Sequence, residues 1–295
     1  MASFFARSYH QATSTPHFTR FLTSWLIPPL VLASIRAIIS LYIFTTLFTV
    51  LGLLVSHNDA HAARTTFSYF TILTYWGLAF YFAVSAGHGF AYALRGPSGL
   101  SVGSMADYAG APEPMSGGKR ALRLAHSAYY ATVTVLPFIV TAVFWGVLAG
   151  NALFDQFAVW SNISEHALNS AFALFEVVVP RSDPNPWIHA VVVVVILALY
   201  LALSFVSFAV NHEYVYPFLD IQKKGSAFVA IAIVLILAAS LVVFAVVHGI
   251  MLLRKRLTES TMRMGGKFSR YDHRDSVTET VKKEQRIQVT ELRSP

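Results

Sequence analysis

Residues 228 to 253 form a run of 26 positions without Asp, Glu, Lys or Arg. A helix needs about 20 apolar residues to cross a bilayer core, so this run alone is long enough to span. Five further apolar stretches accompany it. Together they place spans near Pro28 to Val55, Phe67 to Leu94, Ser127 to Leu148, Ser164 to Val179, Trp187 to Val210 and Phe228 to Leu253. The expected fold is therefore all-α: a polytopic integral membrane protein built as a bundle of six transmembrane helices. Hydrophobic residues make up 55% of the chain and charged ones 13%, a balance foreign to soluble domains. Its 295 residues leave room for six helices, short connections and two tails, with no separate globular domain. The fourth span is the least regular, being short, opening on Glu165 and His166 and ending at Pro180. A re-entrant segment is its rival.

Lys and Arg near span ends collect on the cytosolic side. Arg7, Arg20, Arg95, Lys119, Arg120, Arg123, Arg181, Arg254, Lys255 and Arg256 fall on one side, against Arg64, Lys223 and Lys224 on the other. Both termini are expected in the cytosol. Residues 1–27 then form a cytosolic arm, 28–256 the six-helix domain, and 257–295 a disordered charged cytosolic tail without hydrophobic period. Gly96 to Gly118 reads as a Gly/Pro/Ser-rich connector. The acid-free arm also fits a mitochondrial presequence, but the topology rule explains it as well. The endoplasmic reticulum or another endomembrane is the expected home. The net charge of +7 follows the span ends, so anionic headgroups rather than nucleic acid account for it. With no Cys in the chain, disulfides, thiol nucleophiles and cysteine-bound zinc are excluded.

Polar side chains within a span are costly and need a partner or a task. Thr71 lies a few residues into the second span and His166 a few into the fourth, at matching depth in the non-cytosolic leaflet. A threonine in a membrane helix ordinarily returns its hydroxyl to a carbonyl one turn back. Histidine is harder to dismiss, since a neutral imidazole is cheap to bury and can accept a hydroxyl proton. Asn162, Asn169 and Ser170 share its helical face and should point into the bundle with it. Asn162, Ile163 and Ser164 also spell a glycosylation sequon close to the membrane.

Glu176 is tempting as the group that orients His166. Ten residues along one helix, however, is about 15 Å, too far for a hydrogen bond. Glu176 lies at the depth of Arg36 in the first span, so a buried Arg36–Glu176 ion pair is the simpler expectation. His57, Asp59 and His61, with His212 and Glu213 across the bundle mouth, carry ligand chemistry of the kind exposed loops commonly hold. No metal and no cofactor is expected.

Four segments resemble one family in collinear order over roughly residues 66 to 250. Phe70-Thr71-Ile72-Leu73 is similar to the threonine-bearing helix of the androgen-induced and androgen-dependent membrane proteins, whose members hydrolyse fatty acid esters of hydroxy fatty acids. Leu136-Pro137-Phe138 leading to Val143-Phe144-Trp145 resembles that family's third span. His166 with Glu176 ten positions on looks like its histidine segment, and Val215-Tyr216-Pro217-Phe218-Leu219-Asp220 like its Val-Tyr-Pro-Phe-Leu-acidic signature. The longer arm, the Gly/Pro-rich loop and the charged tail depart from the core pattern and resemble fungal branches.

The resemblance implies a carboxylic ester hydrolase with Thr71 as nucleophile and His166 as base, acting on a lipid ester taken from the bilayer. Asn169 or Ser170 would then serve as oxyanion donors or orienting groups. Phe70, Phe80, Phe138, Phe144 and Phe172 are the expected acyl-chain contacts. For this chemistry the Thr71 oxygen and a ring nitrogen of His166 should come within about 3 to 5 Å. The alternative is a non-enzymatic membrane protein, a small-solute carrier or scaffold whose polar residues line a path or lock helices together.

Overall fold

The structure is a computed structural model that describes residues 19–57, 60–95, 117–150 and 155–264. The architecture is all-α and polytopic. Helix α1 spans Pro29–Ser56 and α2 Phe70–Arg95; α3 spans Gly117–Val143 and continues into a wide π turn, Phe144–Leu148. Helix α4 (Gln156–Ile163) passes through a second π turn, Ser164–Leu168, into α5 (Asn169–Val178). Helices α6 (Ile188–Asn211) and α7 (Ser226–Lys255) complete the bundle, and α7 ends in a π turn at Arg256–Thr261.

Among the described residues, five helices are long and apolar enough to cross a membrane: Pro29–Ser56, Phe70–Arg95, Leu124–Leu148, Ile188–Asn211 and Ser226–Thr261. The sixth element, α4 with α5, is set apart by polarity, since it carries Glu165, His166, Asn169, Ser170 and Glu176. It is nonetheless helical from 156 to 178, roughly 34 Å at 1.5 Å per residue, and not a re-entrant loop. Its start precedes the expected Ser164 because Asp155 caps it, the carboxylate accepting from Ala158 N–H at 2.7 Å. Pro180 follows its last turn.

Hydropathy is arranged for lipid outside and polarity inside. Leu199, Val210, Leu235 and Val242 are exposed on the outer faces, while Arg36, Glu176, Ser182, Asn185 and His189 are buried. Helices α1 and α2 approach tightly where Gly89 meets Ala33; a Cβ at Gly89 would lie 2.8 Å from that of Ala33.

The end of the bundle away from Thr71 is locked by polar contacts that long-run hydropathy does not reveal. Arg36 Nε and Nη2 donate to Glu176 at 3.1 and 2.5 Å, and Tyr81 donates to the same carboxylate at 2.6 Å. Three donors on one buried anion offset the cost of taking it out of water. The last residues of the arm fold onto this end. Ser24 and Trp25 donate to the carbonyls of Val179 and Val178 at 2.7 and 2.8 Å, satisfying the last turn of α5. Arg20, in a single helical turn at Thr19–Leu22, bridges Asp183 and Glu259 at 3.2 and 2.5 Å. The expected tail from Leu257 thus begins as helix, because Glu259 is held by Arg20. Residues 265–295, most of the arm, and the connector from Gly96 to Ser116 lie outside the described residues.

Candidate active site

Thr71 occupies the second position of α2. The start of that helix is fixed by side chains from α6: Tyr200 donates to the Ser68 carbonyl at 2.8 Å and Ser207 to the Ser68 hydroxyl at 3.0 Å. Thr74 returns its hydroxyl to Phe70 O at 2.9 Å, the ordinary behaviour of a helical threonine, whereas Thr71 Oγ1 faces across to His166 Nε2 at 3.3 Å.

His166 is held from several sides. Its Nδ1 lies 3.2 Å from the carbonyl of Asn162, which can only accept, so Nδ1 carries a proton and the neutral ring presents a lone pair at Nε2. The ring of Phe144 stacks on the imidazole with centroids 3.5 Å apart and planes within 13°. Thr141 Oγ1 and Trp145 Nε1 donate to the His166 carbonyl at 2.7 and 2.9 Å. Two of the three π turns described above meet here, one carrying Phe144 and the other His166. A π turn rotates the residues beyond it relative to a regular helix and frees carbonyls to bond sideways, and it recurs at functional sites.

Asn169 and Ser170 are placed on α3 and not beside the threonine oxygen. Ser170 Oγ lies 2.6 Å from Thr141 Oγ1 and donates to Pro137 O at 3.0 Å; Asn169 Oδ1 accepts from Thr141 at 3.1 Å. Asn162 Nδ2 donates to Ala158 O at 2.9 Å, inside its own helix. Arg36 and Glu176 form their ion pair at the opposite end of the bundle. In the loop region, His61 Nε2 comes within 3.5 Å of Glu213 Oε2; among the described residues no group of three His, Cys, Asp or Glu is placed to hold a metal ion. Asp59 lies outside the described residues.

An apolar cavity of about 200 Å³ opens beside Thr71. Val140, Val143, Leu197, Leu201 and Leu237 line its length, with Thr71 and Tyr216 among its few polar walls. Of the phenylalanines expected at an acyl chain, Phe70 and Phe144 line it, while Phe80 packs with Phe44 and Trp76, and Phe172 with Tyr42. Phe138 packs at the margin of the buried core and is not part of the cavity wall. The cavity is instead lined largely by aliphatic residues of α3, α6 and α7.

Thr141, Trp145 and Tyr216 escaped the reading of the sequence as site residues. Trp145 and Tyr216 stood within motifs quoted for resemblance alone, and Thr141 is an ordinary helical threonine until a partner helix is placed against it.

A family model described as FAR-17a/AIG1-like protein matches residues 97–248. That stretch includes His166, Glu176 and the run from Val215 to Asp220; Thr71 precedes it. Comparison with curated proteins and with solved structures gives no match.

Proposed function

The chain belongs to the FAR-17a/AIG1-like family, and from that premise we propose that it is a membrane-embedded lipid-ester hydrolase in which Thr71 is the nucleophile and His166 the general base. The observation that carries this reading is the 3.3 Å approach of Thr71 Oγ1 to an imidazole nitrogen left unprotonated by its neighbour's bond to Asn162, at the wall of an apolar cavity.

In the acylation step His166 Nε2 takes the Thr71 proton while Oγ1 bonds to the ester carbon and the carbonyl electron pair moves onto its oxygen. Collapse breaks the bond to the leaving alkoxide, which receives the proton from His166. A water then attacks the acyl-threonine by the same route and releases the acid. A positioned base of this kind contributes typically about 10²- to 10⁴-fold.

The aliphatic cavity suits an acyl chain, since transfer from bilayer to bundle interior removes little from water. Fatty acid esters of hydroxy fatty acids are the substrate class the resemblance suggests. Asn169, Ser170, Thr141 and Trp145 are positioning residues in this scheme: they fix the histidine helix against α3. The excess of Lys and Arg at the other end supports the reading that both termini are cytosolic and the site faces the lumenal leaflet of an endomembrane.

Purified wild type should turn over a hydroxy-fatty-acid ester and react with a fluorophosphonate probe. Thr71→Ala and His166→Ala should each abolish both while leaving expression and membrane insertion intact. Probe labelling that survives in Thr71→Ala would put the nucleophile elsewhere.

A further inference from the structure

The motif Val215 to Asp220 takes no part in the scheme above, yet it delivers a hydroxyl to the wall of the cavity that Thr71 lines, on the N–H of Phe70. We infer that the Tyr216 hydroxyl is the side-chain donor that binds the oxyanion formed on the ester carbonyl when Thr71 attacks. This rests on the hydrolase reading and supplies the element that reading lacks, since Asn169 and Ser170 are engaged on α3.

Tyr216 is extended, with φ −128° and ψ 138°, immediately before the short turn Pro217–Leu219. Proline fixes the backbone after it, and the ring is stacked on that of Phe218 with centroids 5.2 Å apart. The hydroxyl therefore reaches the start of α2 from a stiff loop. There it accepts the N–H of Phe70 at 3.2 Å and lines the cavity together with Thr71.

The protons determine what this hydroxyl can do. One lone pair of Tyr216 is taken by Phe70 N–H, so its own proton points away from the backbone. Thr71 follows Phe70 directly in the chain and lines the same cavity as this hydroxyl. Thr71 directs its proton to His166 Nε2, so the tyrosine proton is the one left to face the cavity beside it. The neighbouring Tyr200 hydroxyl donates to the Ser68 carbonyl at 2.8 Å, so its proton is not the one offered to the cavity.

After attack, Oγ1 and the oxyanion are attached to the same carbon. A hydroxyl held on the N–H of the residue before Thr71 is thus already near the oxygen on which charge develops, and its hydrogen bond forms as that charge grows. Burial raises the phenol above its ordinary pKa, which keeps it a donor through neutral pH. The first-turn N–H groups of α2 have no carbonyl of their own helix to reach, so the positive end of the helix dipole lies on the same side.

The test compares an ester with its thionoester analogue, whose sulfur accepts hydrogen bonds weakly. Tyr216→Phe should lower kcat on the oxo ester by about a hundredfold, the usual effect of removing one oxyanion donor, with KM changed little. The oxo-to-thiono ratio of kcat/KM should fall with it by about the same factor. A merely structural role would slow both esters alike. A ratio in Tyr216→Phe equal to that of wild type therefore overturns the inference while wild-type turnover leaves the hydrolase reading standing. Wild type inactive on both esters would remove both together. Should Tyr216→Phe not fold, 3,5-difluorotyrosine at the same position keeps the ring and strengthens the donor. The ratio should then rise below the pH at which that phenol ionises, and an unchanged ratio overturns the inference.

Discussion

Replacing Glu176 by Gln removes one negative charge from the buried end of the bundle and leaves the Arg36 guanidinium facing an amide. The carboxylate accepts three hydrogen bonds, two from Arg36 at 3.1 and 2.5 Å and one from Tyr81 at 2.6 Å, and both charged side chains are essentially sealed, at 1% and 0% exposure. Gln can keep the Tyr81 bond but turns an NH2 toward the arginine, whose one other acceptor among the described residues is the Phe21 carbonyl at 2.8 Å. Breaking a buried pair by removing one partner costs about 3–5 kcal/mol, because the survivor is an uncompensated buried charge. At about 1.4 kcal/mol per tenfold, the folded-to-unfolded ratio should drop between roughly 10²- and 10³·⁵-fold. Unfolding of the purified protein in mixed micelles with increasing dodecyl sulfate, followed by tryptophan fluorescence, measures this. Arg36→Met placed in the same chain should restore most of the loss, since two neutral groups of similar size need no charge partner. Additive damage in the double variant, with a coupling energy near zero, would refute the reasoning.

Gly89→Ala should destabilise by about 1–3 kcal/mol through overpacking, because its new methyl would sit 2.8 Å from the Ala33 Cβ in a helix contact; Ala33→Gly in the same chain should recover most of it in the same unfolding assay. Ala198→Phe, in the wall of the cavity next to Thr71, should reduce turnover of long-chain esters by tenfold or more while sparing acetyl esters, read as kcat/KM against chain length; equal losses at all lengths would mean that the acyl chain lies elsewhere.

The class of fold was legible because bilayer thickness acts on long stretches of chain, and the run from Phe228 to Leu253 needs only its length and lack of charge to be read. The fourth element was harder for the same reason reversed. Its polar residues depress hydropathy where they matter to the structure, so its first eight residues, Gln156–Ile163, could be read only from the cap Asp155. Arg36 and Glu176 could be paired from depth alone, since each is too costly to bury singly. The strap of Arg20, Ser24 and Trp25 could not, because its partners are backbone carbonyls and carboxylates 150 or more positions away in the chain. The side-chain placements of Asn169 and Ser170 were hidden for a local reason. Helical spacing puts them on the histidine's face, but an intervening π turn shifts the angular register of everything beyond it.

That shift bears on how a helix with so many polar groups keeps one imidazole free. In a regular helix each carbonyl is taken by the N–H four residues on, and the side chains of His166, Asn169 and Ser170 would crowd one face. The π turn at Ser164–Leu168 opens the ladder: the His166 carbonyl passes to Thr141 and Trp145, and Ser170 N–H to the Asn169 side chain at 2.6 Å. Asn169 and Ser170 are drawn onto α3 in the same movement, so they do not compete with Thr71 for the ring nitrogen. The matching π turn at Phe144–Leu148 sets the Phe144 ring flat on the imidazole, closing that side to water. Two irregular turns, each adding one residue to a turn, thus separate the groups that hold the helix from the group that faces the threonine. Restoring regular helical register by deleting one residue within Ser164–Leu168 would change the register between the two ends of the element, so that His166 against Thr71 and Glu176 against Arg36 could not both keep their partners. The geometry of the pair therefore depends on both ends of the fourth element being held at once, and its polar composition is the means by which they are held.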